Sequence, residues 1–544
     1  MKYIIHCLKG WLGVWQLCVY TCVLGGIISN SVALPAFPGA EGYGSDTQGG
    51  RGGKVIQVTN LKDSGPGSFR AAVEAEGARI VVFRVSGTIP LLKDIVIKNP
   101  NLTVAGQTAP GDGVALKNYQ VMISARDVIV RHLRFRRGRA NKGRTDALSI
   151  SWAENVIVDH CSISWGTDQT LSTWIGTKNI TVQWSIISEA LHHNSHGFAA
   201  SIGGVNASYH HLLIANCPGR NPSIAGNHEH QTHNLDFRNS VIFNFGHRTF
   251  DGKPSSINIV NNYFKPGPNS TQNSFAKIDE AGIYAKIPTT AWYLSGNYWE
   301  GNPAISKDNA SGCVGATQWI TDEPAPFAPV KTVPAEEAYE MVLAGTGATK
   351  PKRDPVDLRI IEETRTGKPT YKNGVILNEK DVGGWPELKS SEAPMDTDKD
   401  GIPDEWENKN SLNPNDRSDG SKDKDGDGYT NIEEYLNELA GDVSKTPLFQ
   451  RSAVISSSSP RFDICVNANG VGKVSVIGYN GNGNFEIFHL NGSMLYQGSI
   501  KAGQGRFHTR QWPFGSYYIR FRTNSENQIR LEKSMVFFLN STNY

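Results

Sequence analysis

Two twelve-residue stretches toward the C-terminus carry acidic side chains at the spacing of calcium-binding loops. Residues 396–407 read DTDKDGIPDEWE, and residues 423–434 read DKDGDGYTNIEE. Both place several carboxylates around one glycine bend, which suits a hard cation that needs many oxygen ligands. The predicted calcium ligands are Asp396, Asp398, Asp400, Glu407, Asp423, Asp425, Asp427 and Glu434. The alternative is a solvated acidic linker, and in either case we expect a structural and not a catalytic segment.

Three further candidates, Asp146, Asp168 and Arg220, fall within one run of sequence repeats, and the stacking of those repeats must bring them together. The phrase NVIVDHCSI is typical of the repeat, with a β-branched run, a bend and a second short strand. Related phrases begin at Asp127, Asn155, Asn179, Tyr209, Leu235 and Ile257. Their starts lie roughly 22–30 residues apart, a period that indicates stacked repeats sharing one core. We therefore predict an all-β, right-handed parallel β-helix, because the leucine spacing of a leucine-rich repeat is missing.

The rest of the chain divides by composition. We expect a signal peptide (1–33), a β-helix (34–320), a wrapping segment and linker (321–392), a calcium-loop segment (393–440), a Ser-rich linker (441–460) and a small C-terminal β-sandwich (461–544). A short amphipathic helix over 68–76 should cap the first open turn, and one helix is expected over 336–343. The apolar run 11–28 between basic and small residues is typical of a secretory signal cut near Ala33, with a membrane anchor as the alternative.

Charge and cysteine content exclude several classes of protein. The net charge is +2 and 38% of the residues are hydrophobic, so a nucleic-acid binder is not expected. The signal-like N-terminus predicts a secreted or cell-surface protein, and no later stretch is apolar enough to span a bilayer. The mature part has four scattered cysteines, Cys161, Cys217, Cys313 and Cys465, which form no disulfide framework or zinc pattern. Cys161 and Cys217 are expected to be small buried hydrophobes.

About half of the chain, residues 37–299, resembles the pectate lyase family, the first polysaccharide-lyase family. The motifs that carry the resemblance are DALSI from Asp146, NVIVDHCS from Asn155, WGTD ending at Asp168, NITV from Asn179, His210-His211, RNP from Arg220 and NSVIFN from Asn239. The resemblance implies calcium-assisted β-elimination of α-1,4-galacturonan, an acidic plant polysaccharide. It further implies that Arg220 is the base that removes the C5 proton and that Asp146 and Asp168 are calcium ligands. Asp159 and His160 match a part of the motif that is mainly structural, so they are not in the predicted catalytic set.

The chain also departs from the family pattern in ways that reduce the number of acidic ligands at the calcium site. Arg144 stands where a second acidic residue is common, and Ser172 stands where another carboxylate is expected. The downstream arginine of the R-x-P-x-x-R pattern is replaced by Ala225, and the lysine expected after the Asn179 strand is missing. Histidines cluster there instead. The predicted substrate-binding residues are His192, His196 and Asn221, with His193 in the same cluster.

We therefore predict a secreted, monomeric lyase that cleaves polygalacturonate or a related pectin with the help of calcium. Two alternatives stay open: a calcium-independent pectin lyase acting on methyl-esterified chains, and a non-catalytic pectin-binding β-helix. The C-terminal domain resembles the sorting domain of type IX secretion substrates, which implies a partner in the secretion machinery. An ordinary accessory β-sandwich is the alternative for that domain.

Overall fold

The computed structural model describes residues 34–141, 143–192 and 196–442, together with the C-terminal strands named below. The predicted signal peptide, most of the predicted Ser-rich linker and His193 lie outside the described residues. No helix within the described ranges is long and apolar enough to cross a bilayer.

Three long parallel sheets build the main body, and the chain visits them in a fixed rotation from β2 to β28. Sheet 1 contains β1 (Lys54–Val58), β2 (Arg79–Phe83), β5 (Leu102–Ala105), β8 (Val128–Arg131), β11 (Glu154–Asp159), β14 (Lys178–Gln183), β17 (Val205–His210), β20 (His233–Arg238), β23 (Ile257–Val260), β26 (Trp292–Ser295) and β29 (Ile320–Thr321). Sheet 2 contains β3 (Gly87–Pro90), β6 (Val114–Lys117), β9 (Arg134–Arg136), β12 (Ser162–Ser164), β15 (Ile186–Ser188), β18 (Leu213–Ala215), β21 (Val241–Phe243), β24 (Tyr263–Lys265) and β27 (Tyr298–Trp299). Sheet 3 contains β4 (Ile95–Ile97), β7 (Val121–Ile123), β10 (Leu148–Ser151), β13 (Gln169–Trp174), β16 (Phe198–Ile202), β19 (Ser223–Ile224), β22 (Asp251–Gly252), β25 (Ala276–Ile278) and β28 (Cys313–Gly315). A parallel β-helix, as predicted, is confirmed.

Apolar side chains at equivalent positions pile up inside the solenoid. In sheet 1 one such pile consists of Val128, Val156, Ile180, Ala207, Leu235, Ile257 and Trp292, which pair strand by strand and are fully buried. Burying one aliphatic side chain of this size contributes about 1.5–3 kcal/mol, so the repeated phrase is stabilised by its neighbours on both sides. Cys161 and Cys217 are free and buried in the same core, as expected.

An asparagine ladder holds the turns in register where the chain enters sheet 1. Asn155, Asn179, Asn206 and Asn234 all have a positive φ, a conformation that asparagine tolerates better than most residues. Each side chain donates to the oxygen of the one before it, at 3.0 Å, 3.1 Å and 2.9 Å along the series. The repeated Asn in the sequence is therefore a structural device of the turn.

Helices cover the first open turn and sheet 2. Helix α1 (Phe69–Val73) is the predicted cap, although it is shorter than expected, and α2 (Pro303–Lys307) lies between β27 and β28 near the other end of the solenoid. In the wrapping segment, α3 (Ala335–Gly345) was predicted and α4 (Pro355–Thr366) was not. Both pack on sheet 2 against Ile186, Leu213 and Val241. Helix α4 was missed because much of its anchoring comes from buried carboxylates, but its Asp-Pro start and its Gly367 end were readable signals.

The remaining elements follow the wrapping segment. Helices α5 (Asp404–Lys409) and α6 (Asn431–Ala440) belong to the acidic-loop segment, which packs on sheet 1. Short 3-10 helices occur at Gly106–Thr108, Gly282–Tyr284, Asn309–Gly312, Thr317–Trp319 and Glu379–Val382. The C-terminal strands form two antiparallel sheets, the strand arrangement that a β-sandwich requires. These strands are β30 (Arg461–Val466), β31 (Val471–Ile477) and β34 (Gln504–His508) in one sheet, and β32 (Gly483–His489), β33 (Met494–Ile500), β35 (Gly515–Ser525) and β36 (Gln528–Leu539) in the other.

Candidate active site

Sheet 3 presents an unbroken row of polar side chains along the solenoid axis. The residues paired in this row are Ser149, Ser172, Ser201, Ser223, Asp251 and Lys277. The intervening positions, such as Leu148 and Leu171, point into the core. Because side chains alternate between the two faces of a strand, the polar row marks the outer face of this sheet.

The predicted site residues lie just before the strands of sheet 3, on neighbouring turns. Asp146 precedes β10 and accepts a hydrogen bond from the Gln169 backbone N–H of the next turn at 3.1 Å. The Asp168 carbonyl accepts from Phe198 N–H at 2.9 Å, and the Gly219 carbonyl accepts from Ala199 N–H at 3.0 Å. Arg220 therefore lies two turns beyond Asp168, a backbone separation of roughly 10 Å. The solenoid brings together residues that are far apart in the sequence.

Asp146 is a largely buried carboxylate whose charge is only partly compensated. Its oxygens accept hydrogen bonds from the Ser172 hydroxyl and from Gln169 N–H. Burial raises the pKa of Asp146 to about 6, and the negative charge of Asp168 adds to the rise. Ser172 stands where the family pattern predicts an acidic residue. Its hydroxyl donates a hydrogen bond to Asp146, whereas a carboxylate at that position would repel the Asp146 carboxylate.

Asp168 belongs to a small cluster of charged groups that also contains His196 and Arg144. His196 Nε2 lies 3.9 Å from Asp168 Oδ1, and Arg144 Nη1 donates to His196 Nδ1 at 3.2 Å. Asp168 and His196 are both about one-third exposed, so the cluster reaches solvent. Arg144 therefore stands near the position of the missing acidic residue and adds positive charge beside Asp168.

Arg220 is held over the ring of Phe198, and its carbonyl accepts a hydrogen bond from Ala200 N–H. Its guanidinium carbon lies 4.2 Å from the ring centroid, and the backbone φ is +53°. Among the described residues it makes no ion pair within 4.0 Å. Burial lowers the pKa of Arg220, and the positive charge of Arg248 lowers it further. Both effects disfavour the protonated guanidinium.

Arg248 is the site residue that sequence reasoning missed. Its guanidinium carbon lies 5.3 Å from the centroid of the same Phe198 ring, and Nη1 pairs with Asp251 at 3.3 Å. Asp251 also accepts a hydrogen bond from Ser223. A readable signal existed, because the stretch GHRTF precedes a strand of sheet 3 as GRNP does one turn earlier. A second arginine is therefore supplied by the following turn and not by the position of Ala225.

Of the three predicted substrate-binding residues, His196 lies in the charged cluster beside Asp168. His192 and Asn221 have other environments. His192 is half-buried, and its backbone N–H donates to the Ile376 carbonyl at 3.0 Å. Asn221 is fully buried, and its amide donates to the carbonyls of Cys217 and Arg248 at 3.3 Å and 3.2 Å. The buried Asn221 side chain offers no surface to a polymer, so a direct substrate contact is not supported by its position.

Asp159 has a structural environment. It is fully buried, pairs with Arg131 at 2.8 Å and accepts from Gln183 at 2.9 Å. Although burial opposes ionisation, His160 and Arg131 hold the pKa of Asp159 well below its usual range. The side chain ties adjacent turns of the solenoid together.

The two acidic loops differ in burial. In the first loop, Asp396, Asp398 and Asp400 have ligand oxygens within 4.8 Å of one another, and Asp400 forms a second such group with Glu407 and Asp419. In the second loop, Asp423 and Asp425 are exposed and Asp427 is half-buried, again within 4.8 Å of one another. Glu434, predicted to close the second loop, lies on α6 and is half-buried. Asp419 was not predicted, because it lies outside the loop pattern.

The chain was compared with known proteins. It matches no protein-family model. It is 36% identical over 421 residues to a probable pectate lyase C of Aspergillus flavus, covering 75% of this chain and 94% of that protein. It is 37% identical over 422 residues to a probable pectate lyase C of Emericella nidulans, with coverage of 75% and 94%. A probable pectate lyase 13 of Arabidopsis thaliana is 29% identical over 152 residues, which is 26% of this chain and 30% of that one.

Solved structures were also compared. The major cedar-pollen allergen jun a 1 is 17% identical, covers 57% of this chain and 92% of its own, and has a TM-score of 0.44. A pectate lyase bound to a hexasaccharide is 12% identical, with coverage of 58% and 99% and a TM-score of 0.37. The fungal relatives settle the family, because their identity exceeds 30% over nearly their whole length. The chain belongs to the pectate lyase family and is a polysaccharide lyase.

Proposed function

We propose that this enzyme cleaves α-1,4-linked polygalacturonate by β-elimination, with Arg220 as the base. The observation that carries the proposal is the state of Arg220: a guanidinium without an ion pair among the described residues, 4.2 Å over the Phe198 ring and two turns from Asp168. A half-buried arginine beside a second arginine, without an ion pair of its own among the described residues, is an unfavourable arrangement for structure alone. It suits a group that must give up its proton at alkaline pH and take one from substrate.

The proposed reaction needs two proton transfers and the cleavage of one C–O bond. Arg220, deprotonated, removes the proton from C5 of a galacturonate residue. The electron pair left on C5 forms the C4–C5 double bond as the bond from C4 to the glycosidic oxygen breaks, and the departing oxygen takes a proton from water. Arg248 lies where it can pair with a substrate carboxylate and lowers the pKa of Arg220 at the same time.

The residues of the site fit a cation whose coordination is completed by oxygen atoms of the substrate. Asp146 and Asp168 provide only two carboxylates, whereas calcium takes six to eight oxygens, so a resident ion would need further ligands. The charge of Asp168 raises the pKa of Asp146, a repulsion that a bound cation would relieve. Calcium bound there would withdraw negative charge from the substrate carboxylate and so make the C5 proton more acidic.

One observation favours a second candidate, a pectin lyase that acts on methyl-esterified chains without calcium. Arg144 lies beside the His196 and Asp168 pair, where its charge could replace part of the work of a cation. The two functions are separated by following the absorbance of unsaturated product on polygalacturonate and on methylated pectin, with and without a chelator. Product formation on polygalacturonate that a chelator abolishes supports the first proposal. Chelator-independent product on methylated pectin supports the second, and no product on either polymer contradicts both.

The role of Arg220 is tested by the variant Arg220→Lys. Lysine keeps the positive charge but places it differently, and loss of a positioned base typically lowers kcat by about 10²–10⁴-fold. The matched control is Arg365→Lys, which changes an exposed arginine of α4 paired only with Glu362 in the described part of the chain. Undiminished turnover of Arg220→Lys would remove Arg220 from the role of base.

We also propose that the enzyme is exported and acts as a secreted or cell-surface monomer, and that both acidic loops bind calcium. The basic and apolar N-terminal sequence supports export, and the two antiparallel C-terminal sheets are compatible with a sorting domain read by secretion machinery. Deleting residues 461–544 is expected to leave the enzyme inside the cell if that domain is the signal. Normal export of the shortened chain would make it an ordinary accessory domain.

A further inference from the structure

Five carboxylates from two separate segments form two overlapping groups that share Asp400, beside the first turns of the solenoid. Four of them belong to the first acidic loop, and the fifth is Asp419. The oxygens that lack any hydrogen-bond partner are Asp396 Oδ1, Asp398 Oδ2, Asp400 Oδ2, Glu407 Oε1, Glu407 Oε2 and Asp419 Oδ1. Glu407 is fully buried, and Asp400 is 2% exposed. Buried charged oxygens without partners are strongly unfavourable unless a cation binds them.

The backbone around Asp419 is shaped for this convergence. Asp419 N–H donates to the Asp416 carbonyl at 2.9 Å, which makes a turn that points the segment back at the loop. Gly420 follows, and a side chain there would place its Cβ 2.1 Å from Asp400 Oδ2. Glycine is therefore required for Asp419 and Asp400 to approach each other. A cleft of about 450 Å³, lined by Asp400, Gly420 and Val55 among others, leads to this point and offers an ion a path from solvent.

The same loop is fastened to the solenoid. Asp396 accepts from Gln57 Nε2 of β1 at 2.7 Å and lies 3.8 Å from Arg84 Nη1. Ile402, in the middle of the loop, is fully buried in an apolar cluster with Ile80 and Val82 of β2. The carboxylates and the apolar contact with the first turns therefore lie in the same short loop, with Ile402 only two residues from Asp400.

We propose that Asp419 completes a five-carboxylate calcium site with the first acidic loop, and that this ion fastens the segment 396–442 onto the first turns of the β-helix. The inference rests on the proposed calcium binding of that loop and extends it with a further ligand and a role. It does not depend on Arg220 or on calcium in the active site. Without the cation, five neighbouring carboxylates repel one another, and the loop and Ile402 should leave the solenoid together.

The second acidic loop does not share this arrangement. Asp423 and Asp425 are exposed, and Gly428 N–H donates to Asp423 at 2.8 Å. Within the described ranges, no buried oxygen of that loop lacks a partner. The role of fastening segment 396–442 to the β-helix is therefore assigned to the first loop alone. A titration with metal ions can then distinguish the two loops.

Direct binding is measured with terbium, which replaces calcium and is excited through a nearby tryptophan. Trp406 is adjacent to Glu407 and serves as the donor. In the full-length protein, Asp419→Asn is expected to weaken terbium binding at the tryptophan-sensitised site by about tenfold or more, since it removes one of five charged ligands. The matched control, Asp416→Asn, changes an exposed aspartate of the same turn that bonds Ser418 and Lys422. Unchanged binding by Asp419→Asn would overturn the proposal.

The calcium-dependent attachment of segment 396–442 to the β-helix is tested by thermal unfolding and limited proteolysis, each in excess calcium and in excess chelator. Chelation of the wild type is expected to lower the melting temperature and to open cleavage sites within 396–442. Asp419→Asn should lose much of this calcium response while unfolding like the wild type in chelator. Equal destabilisation by Asp419→Asn in both buffers would reduce Asp419 to an ordinary structural residue and overturn the proposal. A wild-type protein whose melting temperature and cleavage sites are unchanged by chelator would also overturn the proposal.

Two further variants keep these outcomes clear. If Asp419→Asn does not fold in excess calcium, Glu407→Gln is measured in its place, and failure of both to fold overturns the proposal. Arg220→Lys should show the full calcium response in unfolding although it is expected to be inactive. If Arg220→Lys is active and its unfolding responds to calcium like that of the wild type, only the catalytic proposal is contradicted. Failure of the catalytic proposal is thereby distinguished from failure of the calcium-site proposal.

Discussion

At the scale of single residues, the active site is organised by pairs of like charges that are held close together. Asp146 lies near Asp168, and Arg220 lies near Arg248. Each pair shifts the pKa of one member toward its neutral form. Pairs of this kind are frequent at functional sites because they favour proton transfer or the binding of an opposite charge.

Arg248→Gln should weaken substrate binding and shift the pH dependence. Arg248 is one turn beyond Arg220 and is expected to hold a substrate carboxylate, so KM should rise by roughly tenfold, the scale of one charge-assisted hydrogen bond. Because the charge of Arg248 lowers the pKa of Arg220, its removal should also move the pH–rate profile to higher pH. Steady-state kinetics across alkaline pH check both effects, with Arg365→Gln as the control. An increase in KM without the pH shift would mean that Arg248 binds substrate but does not tune the base.

Asp146→Asn should stabilise the calcium-free fold at neutral and alkaline pH while impairing catalysis. The pKa of Asp146 is raised to about 6, so the folded state retains the proton more strongly than the unfolded chain. Stability is therefore lost as pH rises from about 4 to 6 and stays lower above that window. A neutral side chain removes this penalty, and the expected gain is about 1–3 kcal/mol near pH 8. Denaturant unfolding in chelator measures the gain, which should vanish below about pH 4. The same gain at acidic pH would show that the pKa of Asp146 is not responsible.

At the scale of elements, the wrapping segment is fastened to sheet 2 by buried charges as well as by apolar packing. Asp354 caps α4 by accepting from Asp357 N–H at 3.0 Å, and Arg136 of β9 donates to both carboxylates at 2.9 Å. Burial opposes ionisation, but Arg136 and Arg134 hold the pKa of Asp354 below its usual value. The network ties two parts of the chain that are more than two hundred residues apart.

Asp354→Ala should be strongly destabilising. The change removes the cap of α4 and leaves the Arg136 guanidinium, 1% exposed, with one carboxylate fewer. Breaking a buried pair in this way typically costs about 3–5 kcal/mol. The control in the same helix is Glu362→Ala, which removes an exposed partner of Arg365 and should cost less than about 1 kcal/mol. Chemical denaturation of the two variants gives the comparison. Similar losses for both would mean that the buried network contributes little.

At the scale of the whole molecule, a nearly neutral protein gathers charged side chains of both signs along one sheet, where Asp146, Asp168 and Asp251 lie among the basic groups. The net charge is +2, yet Arg144, Arg220, Arg248 and Lys277 lie along sheet 3 or at its edge. The helices of the wrapping and acidic-loop segments pack on sheets 2 and 1. Sheet 3 therefore offers positive groups to the carboxylates of an extended polyanion, with acidic side chains between them.

The polymer should therefore bind through local charge, and its affinity should depend on salt. KM for polygalacturonate is expected to rise several-fold from low to high ionic strength, because exposed charges are screened within about 10 Å at moderate salt. Arg248→Gln should flatten this dependence, whereas Arg365→Gln should not. Kinetics at several salt concentrations with constant free calcium provide the measurement. A KM that ignores salt would place the binding energy in uncharged contacts.

The amino-acid sequence by itself determined the β-helix, because each repeat carries the same β-branched core positions and the same turn-forming asparagine. The acidic loops also follow from a local pattern, whereas Asp146, Asp168 and Arg220 became candidates through the resemblance of the repeats to the pectate lyase family. Helix α4, Arg248 and Asp419 became evident only in the tertiary structure. Each of them owes its position to residues on other turns or other segments: Arg136 for α4, Phe198 for Arg248, and Asp400 for Asp419. Local patterns in a sequence describe how a segment folds, whereas the distance between charges on different turns depends on how the turns stack.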